Sequence, residues 1–160
     1  MGFTKFNLYQ LIKEAVMEKY DALKLENQLC FSLYALSREV IKMYKPLLDP
    51  FDLTYTQYVT MMVMWEEKEI TFKELGKKLY LDSGTLTPVL KKLESKGLII
   101  KYRNKDDDRV VTIELTTKGN ELREKLIDVP EKIYCKLESD EEALRMLKRN
   151  LDDLLKIDFN

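Results

Sequence analysis

The chain has 160 residues, 45% of them hydrophobic and 34% charged, with only 5 Gly and 4 Pro. That is enough apolar material for a core, and sparse punctuation with abundant Leu, Lys and Glu points to a folded, mostly helical chain and not to a disordered one. The formal net charge is −1 and histidine is absent, which removes Ser-His-Asp catalysis, histidine metal sites and a histidine pH switch.

In residues 1–22 the apolar positions Phe6, Leu8, Leu11, Ile12, Ala15, Val16 and Tyr20 predict a short amphipathic helix, an extension over residues 1–23. Lys13, Glu14, Glu18 and Lys19 interrupt any signal-peptide core. No stretch approaches the roughly 18 apolar residues that span a bilayer, so no membrane association and a cytoplasmic location are expected. Leu25, Leu29, Leu33, Leu36, Val40, Met43 and Leu47 then form one apolar stripe along a long helix, with Pro46 and Pro50 marking its end. Thr54 opens a helix through about Glu66 whose inward face is Tyr58, Met61, Met62 and Trp65.

Thr71-x-x-Glu74 reads as a capping box that starts a short helix with Leu75 and Leu79 inward. Asp82 or Ser83 caps the next helix, which turns Leu86, Val89, Leu90 and Leu93 inward and ends at Gly97. Pro88 should kink or loosen its first turn. The period then changes: 98–103 and 110–115 are rich in β-branched residues and predict a hairpin with a charged tip at 104–109. A helix over 116–129, broken by Pro130, follows. The last helix runs from about Ser139 to Lys156 with a narrow stripe of Leu144, Leu147, Leu151 and Leu154. The stripes on 25–47 and 144–154 suit either a monomer core or a dimer seam.

The fold class expected is therefore mainly α: a winged helix-turn-helix with a two-stranded wing over residues 51–116, and a helical dimerisation region from residues 24–50 and 117–160. Residues 73–105 hold nine Lys or Arg against three acids, Glu74, Asp82 and Glu94, inside an otherwise acidic chain. That asymmetry suggests a docking face for an anion. The second helix leaves Ser83, Gly84, Thr85, Thr87, Lys91 and Lys92 outward. Small hydroxyl residues near its start can approach base edges, backbone N–H groups there favour a phosphate, and Lys91 and Lys92 suit the phosphate backbone. Arg103, Lys105 and Arg109 at the hairpin tip can reach a minor groove. Pattern alone leaves open that Lys91, Lys92 and Lys96 are a solvated face; the order helix-helix-hairpin with the local charge favours double-stranded DNA as partner. There is no Gly-rich phosphate loop and no pair of carboxylates in an apolar frame, so neither an enzyme, nor a cofactor, nor a metal site is expected.

The wing reads Asp107-x-Arg109, then Leu115-Thr116-x-x-Gly119, which resembles the signature of the multiple antibiotic resistance regulator (MarR) family. The tract 79–88, Leu-Tyr-Leu-Asp-Ser-Gly-Thr-Leu-Thr-Pro, and the tract 24–34, Lys-Leu-Glu-Asn-Gln-Leu-Cys-Phe-Ser-Leu-Tyr, resemble one branch, the organic hydroperoxide resistance regulators. The resemblance covers about residues 24–156. It implies a homodimer whose first and last helices interlock. It makes 79–88, with Ser83 to Pro88, a recognition helix, and it has Asp107 position a minor-groove Arg109.

Two cysteines, Cys30 and Cys135, lie far apart without a CxxC partner, so structural zinc is not expected. Read alone, a single cysteine on a helix such as Cys30 is usually a small buried hydrophobe, although its place early in a helix modestly favours thiolate and Tyr34 follows on the same face. The resemblance makes Cys30 the peroxide-reactive residue, with Tyr34, Tyr44 and Tyr55 at the positions of tyrosines that hydrogen-bond the sulfur across the dimer. It also includes two-cysteine forms with a resolving thiol near the helix after the wing, the general region of Cys135, which read alone is equally an incidental cysteine. The expected function is a DNA-binding repressor released by organic hydroperoxide through Cys30. The alternatives are release by a small phenolic or lipophilic effector and, in another class, a thiol peroxidase.

Overall fold

The structure, a computed structural model, describes residues 20–103, 107–137 and 140–157. It divides into two compact units, 1–43 and 44–160, with the boundary inside one helix. The helix expected over residues 1–22 falls largely on residues 1–19, outside the described residues.

In the first unit, two 3-10 turns, Asp21–Leu23 and Leu25–Asn27, precede helix α1, Leu29–Leu48. Leu25 thus stands outside the long helix that its spacing predicted. Gln28 is extended (ψ 106°) and its side-chain amide donates back to the Ala22 and Lys24 carbonyls, so the chain turns before the helix begins. Pro46 does not end α1: the helix runs two residues past it, and the break comes at the 3-10 turn Asp49–Phe51 that contains Pro50. Most of the predicted stripe is solvent-facing. Leu25, Leu29, Leu33 and Leu36 are exposed, Leu29 at 66% and Leu36 at 46%, while Val40, Met43 and Leu47 are half-buried.

The second unit holds the core. Helix α2, Tyr55–Glu67, is capped by Thr54, whose hydroxyl accepts from Gln57 N–H while the Gln57 side chain accepts from Thr54 N–H. Its buried face is Tyr58, Met61, Met64 and Trp65; Met62, expected inward, is 44% exposed, because Met61 and Met64 at three-residue spacing take the core side instead. Strand β1, Glu69–Thr71, follows directly and pairs with the hairpin β2, Ile99–Arg103, and β3, Val111–Leu115, in the antiparallel order β1-β3-β2. The wing is therefore a two-stranded hairpin extended by a third short strand that the sequence did not signal: three residues are too few to display a period. Ile70, Ile99 and Ile113 line the buried side of this sheet.

Helix α3, Phe72–Leu79, and helix α4, Ser83–Ser95, lie between β1 and the hairpin. Pro88 does not interrupt α4, which is assigned as one helix through Ser95. Gly97 takes φ +68°, the left-handed conformation that ends the helix without a Cβ penalty. After the wing come α5, Thr117–Leu126, α6, Val129–Lys136, and α7, Glu141–Leu155. Pro130, expected to break a helix, instead sits in the first turn of α6, where a missing N–H costs nothing; the break precedes it, at Ile127 and Asp128. The last helix is capped by Asp140, whose carboxylate accepts from Glu142 N–H; Ser139, its expected start, lies outside the described residues. No helix among the described residues is long and apolar enough to cross a membrane.

Candidate DNA interface and redox site

The helix pair is built by its caps. Thr71 and Glu74 form a reciprocal capping box at the start of α3. Tyr80 then takes a left-handed conformation, φ 53°, and Leu81 N–H returns to the Gly76 carbonyl at 2.9 Å. That sharp turn ends at Asp82, whose Oδ1 accepts from Thr85 N–H at 2.8 Å and starts α4. The hydrogen bonds from Thr85 hold the Asp82 carboxyl below its ordinary range, so the cap is ionised near neutral pH. Leu86, Leu90 and Leu93 are fully buried, which turns Ser83, Gly84, Thr85, Thr87, Pro88, Lys91 and Lys92 together to solvent on α4.

Two details refine the chemistry of that face. The Thr85 N–H at the start of α4 is already taken by Asp82, so it is not free for a phosphate. The Thr85 hydroxyl donates to Asp82 Oδ2 at 3.1 Å and the Thr87 hydroxyl to the Ser83 carbonyl at 2.7 Å. With their protons committed, both hydroxyls offer acceptor lone pairs and a methyl group, which suit base-edge amino groups and the thymine methyl.

At the wing, Asp107 Oδ1 accepts from Arg109 N–H at 2.9 Å and its carbonyl accepts from Val110 N–H. Asp107 thus fixes the backbone from which Arg109 projects. Arg109 shares a hollow of about 280 Å³ with Thr71, Phe72, Lys73, Val110 and Val111. This brings Lys73, which the sequence marked only as part of the charge asymmetry, beside the wing arginine. Arg103 is exposed and its Nη1 reaches the Asp108 carbonyl at 3.4 Å; Lys105 lies outside the described residues.

Cys30 is the second residue of α1, and it is exposed with a free thiol. Tyr34, one turn later, accepts from Arg38 Nη1 at 2.8 Å, and the Arg38 guanidinium carbon lies 5.5 Å from its ring centre. In the second unit the Tyr44 and Tyr55 rings pack tilted by 58° with centroids 4.8 Å apart, and Tyr44 meets Tyr58 at 5.9 Å. Burial raises the hydroxyl pKa of Tyr55, and burial with the neighbouring Tyr55 raises that of Tyr44, so both are proton donors at neutral pH. Tyr58, read from sequence as core, completes this cluster; burial, with Tyr44 and Tyr55 adding, pushes its hydroxyl up to about 12. Cys135 is an exposed free thiol on α6, in a hollow of about 500 Å³ with Leu47, Asp128, Glu131, Lys132 and Lys136.

Comparison with known proteins places this architecture. The family described as transcriptional regulator SarA/Rot matches residues 42–126. The organic hydroperoxide resistance transcriptional regulator of Bacillus subtilis is 50% identical over 137 residues, 86% of this chain and 93% of that protein. Among solved structures, reduced AbfR bound to DNA is similar with a TM-score of 0.68 and 35% identity, over 87% of this chain and all of that one. AbfR, from Staphylococcus epidermidis, has also been solved in a disulfide-formed state, at a TM-score of 0.59 and 35% identity over 86% of this chain and 97% of that one. A MarR mutant from E. coli complexed with operator DNA, 24% identical, shares the fold with a TM-score of 0.74, over 87% of this chain and 99% of that one. The chain is a DNA-binding transcriptional regulator, and it belongs to the MarR family of winged-helix proteins, in the organic hydroperoxide resistance regulator branch.

Proposed function

We propose that this regulator is a cytoplasmic, homodimeric repressor, not an enzyme, that leaves its operator when organic hydroperoxide oxidises Cys30. The observation that carries this reading is the exposed Cys30 thiol on the first turn of α1, in a chain half identical to a hydroperoxide resistance regulator. In the proposed dimer the exposed leucines of α1 and the stripe of α7 cover one another, residues 51–116 form the DNA-binding domain, and residues 1–23 are an extension. Helix α4 enters the major groove through Ser83, Gly84, Thr85, Thr87 and Pro88. Lys91 and Lys92 bind phosphates, and Arg103 and Arg109 with Asp107 form the wing contact. Half-sites then lie about one helical turn apart, roughly 34 Å.

At the proposed sensor, Tyr34, Tyr44 and Tyr55 of the other subunit donate hydrogen bonds that favour the Cys30 thiolate, the nucleophile toward a peroxide oxygen. Attack breaks the O–O bond, releases an alcohol and leaves Cys30 as sulfenic acid. Cys135 of the other subunit then displaces water from that sulfenic acid to form a disulfide. Both cysteines being exposed free thiols supports this order of events, and so does the existence of a disulfide-formed AbfR.

A cleft favours a second reading, release by a phenolic or lipophilic effector. It has a volume of about 320 Å³ and is lined by Tyr58, Met62, Trp65, Leu126 and Arg123 among others, a size and character that suit a small ligand. Titrating the protein–DNA complex with an organic hydroperoxide and, separately, with an aromatic carboxylate separates the two. The leading reading predicts release by the hydroperoxide alone, reversed by a thiol reductant; release by the carboxylate under reducing conditions selects the second.

A further inference from the structure

Lys96 closes the C-terminus of α4, yet its ammonium is folded back onto the chain. Its Nζ lies 2.8 Å from Asp52 Oδ2 and also donates to the Asp52 carbonyl, so one cation grips the side chain and the main chain of a single residue. The lysine side chain is only 21% exposed against 95% for the aspartate. Asp52 holds a left-handed φ of 52° and ends the 3-10 turn Asp49–Phe51 that follows α1, a conformation that Asp tolerates better than most residues. From the other side, Lys118 Nζ of α5 donates to the Lys96 carbonyl at 2.7 Å. The hydrogen bond and charge of Lys96, with the field of Lys92 adding, hold the Asp52 carboxyl below its ordinary range.

We infer that Asp52 and Lys96 are a positioning pair: their grip fixes the C-terminal end of α4 against the turn after α1, and so sets the pose in which α4 meets DNA. Surface ion pairs add little to stability; what this pair supplies is geometry, because the two-point contact ties a helix end to a main-chain atom. It also makes the turn after α1 the point at which a shift of that helix reaches the DNA-reading helix. The inference rests on the reading of α4 as the DNA-contacting helix.

The test uses the full-length protein and a duplex that the wild type selects from a random pool, with affinity measured across a salt series. Asp52→Asn removes an acid from a DNA-binding unit, and electrostatics alone makes that variant bind more tightly. The positioning role predicts the opposite: Asp52→Asn and Lys96→Gln each weaken binding by roughly three- to tenfold, and the double variant is no weaker than either. The salt slope stays that of the wild type, because no phosphate contact is lost, and Lys96→Arg, which keeps both contacts, binds as the wild type. Tighter or unchanged binding by Asp52→Asn overturns the inference, and so does a slope reduced by about one in Lys96→Gln, the mark of a direct phosphate contact. Lys91→Ala and Lys92→Ala serve as controls. If both leave affinity and slope unchanged, the reading of α4 is what fails; if they weaken binding while Asp52→Asn does not, only the positioning role fails.

Discussion

The indole Nε1 of Trp65 donates to the Gly119 carbonyl at 2.8 Å in a buried contact between α2 and α5, 54 residues apart in sequence. Gly119 is fixed from three sides. Its N–H caps onto the Thr116 hydroxyl at 3.0 Å. That hydroxyl donates to the Gly97 carbonyl at 2.7 Å. A Cβ built on Gly119 would stand 2.1 Å from the Leu98 carbonyl oxygen. The Leu115-Thr116-x-x-Gly119 motif is thus the joint where the wing returns to the helical body. Gly119→Ala should cost about 2–4 kcal/mol, since the colliding atom is backbone and cannot swing away. Trp65→Phe, which removes this buried hydrogen bond while the α5 ladder still serves the carbonyl, should cost about 0.5–1.5 kcal/mol. Urea unfolding of both variants measures this, and a Gly119→Ala midpoint equal to the wild type would contradict the close approach.

Tyr58 gives a stability signature at high pH. Its hydroxyl is pushed from 10.0 up to about 12 by burial, so the folded state keeps a proton that the unfolded chain loses first. The sign is fixed by that order: the contribution is fully present below pH 10 and is lost as pH rises to about 12. Tyr44 and Tyr55, also raised, act in the same direction. Urea midpoints of wild type and Tyr58→Phe at pH 8, 10 and 11 should show the wild type falling more steeply above pH 10; parallel curves would mean that the Tyr58 hydroxyl ionises as freely folded as unfolded.

The wing arginine should outweigh an ordinary surface cation. Arg109→Ala is expected to weaken operator binding by about 1–3 kcal/mol and to lower the salt slope by about one, whereas Lys125→Ala, an exposed lysine on α5, should change little. Fluorescence anisotropy across a salt series measures both. Equal, small losses in the two variants would remove Arg109 from the interface.

The parts of this protein legible in its sequence are those with local physical causes. Thr54, Thr71 and Asp82 mark helix starts because a cap needs a side-chain oxygen at one defined position, and the Leu86, Leu90 and Leu93 spacing gives the buried face of α4. Strand β1 escaped because its pairing with β3 is nonlocal. Met62 departs from the inward face that its spacing predicts, because a four-position apolar face cannot say which flank meets the core. Pro130 sits in the first turn of a helix where its position predicts a stop, because a proline at a helix start and one after a helix end look alike in sequence. For the site, Asp107-x-Arg109 is visible as a motif, whereas the tilted packing of Tyr44 against Tyr55 and Tyr58, the placement of Lys73 beside Arg109 and the Asp52–Lys96 grip depend on distant segments meeting.

The role of Cys135 can be read on a gel. After mild organic hydroperoxide, non-reducing electrophoresis should show a covalent dimer that disappears in Cys30→Ser and in Cys135→Ser, and a thiol reductant should restore both monomer and DNA binding. Disulfide closure needs Cα atoms within about 7 Å. A covalent dimer that persists in Cys135→Ser, or none in the wild type, would leave Cys30 as a one-cysteine sensor that depends on outside thiols.

Whether oxidation of Cys30 releases DNA is decided by following operator binding of wild type and Cys30→Ser by anisotropy before and after one equivalent of organic hydroperoxide. Both proteins should bind alike when reduced, since Cys30 lies on α1, outside the proposed DNA-contacting segments. The hydroperoxide should then release the wild type and leave Cys30→Ser bound. Release of Cys30→Ser at the same hydroperoxide dose would mean that DNA release does not run through Cys30.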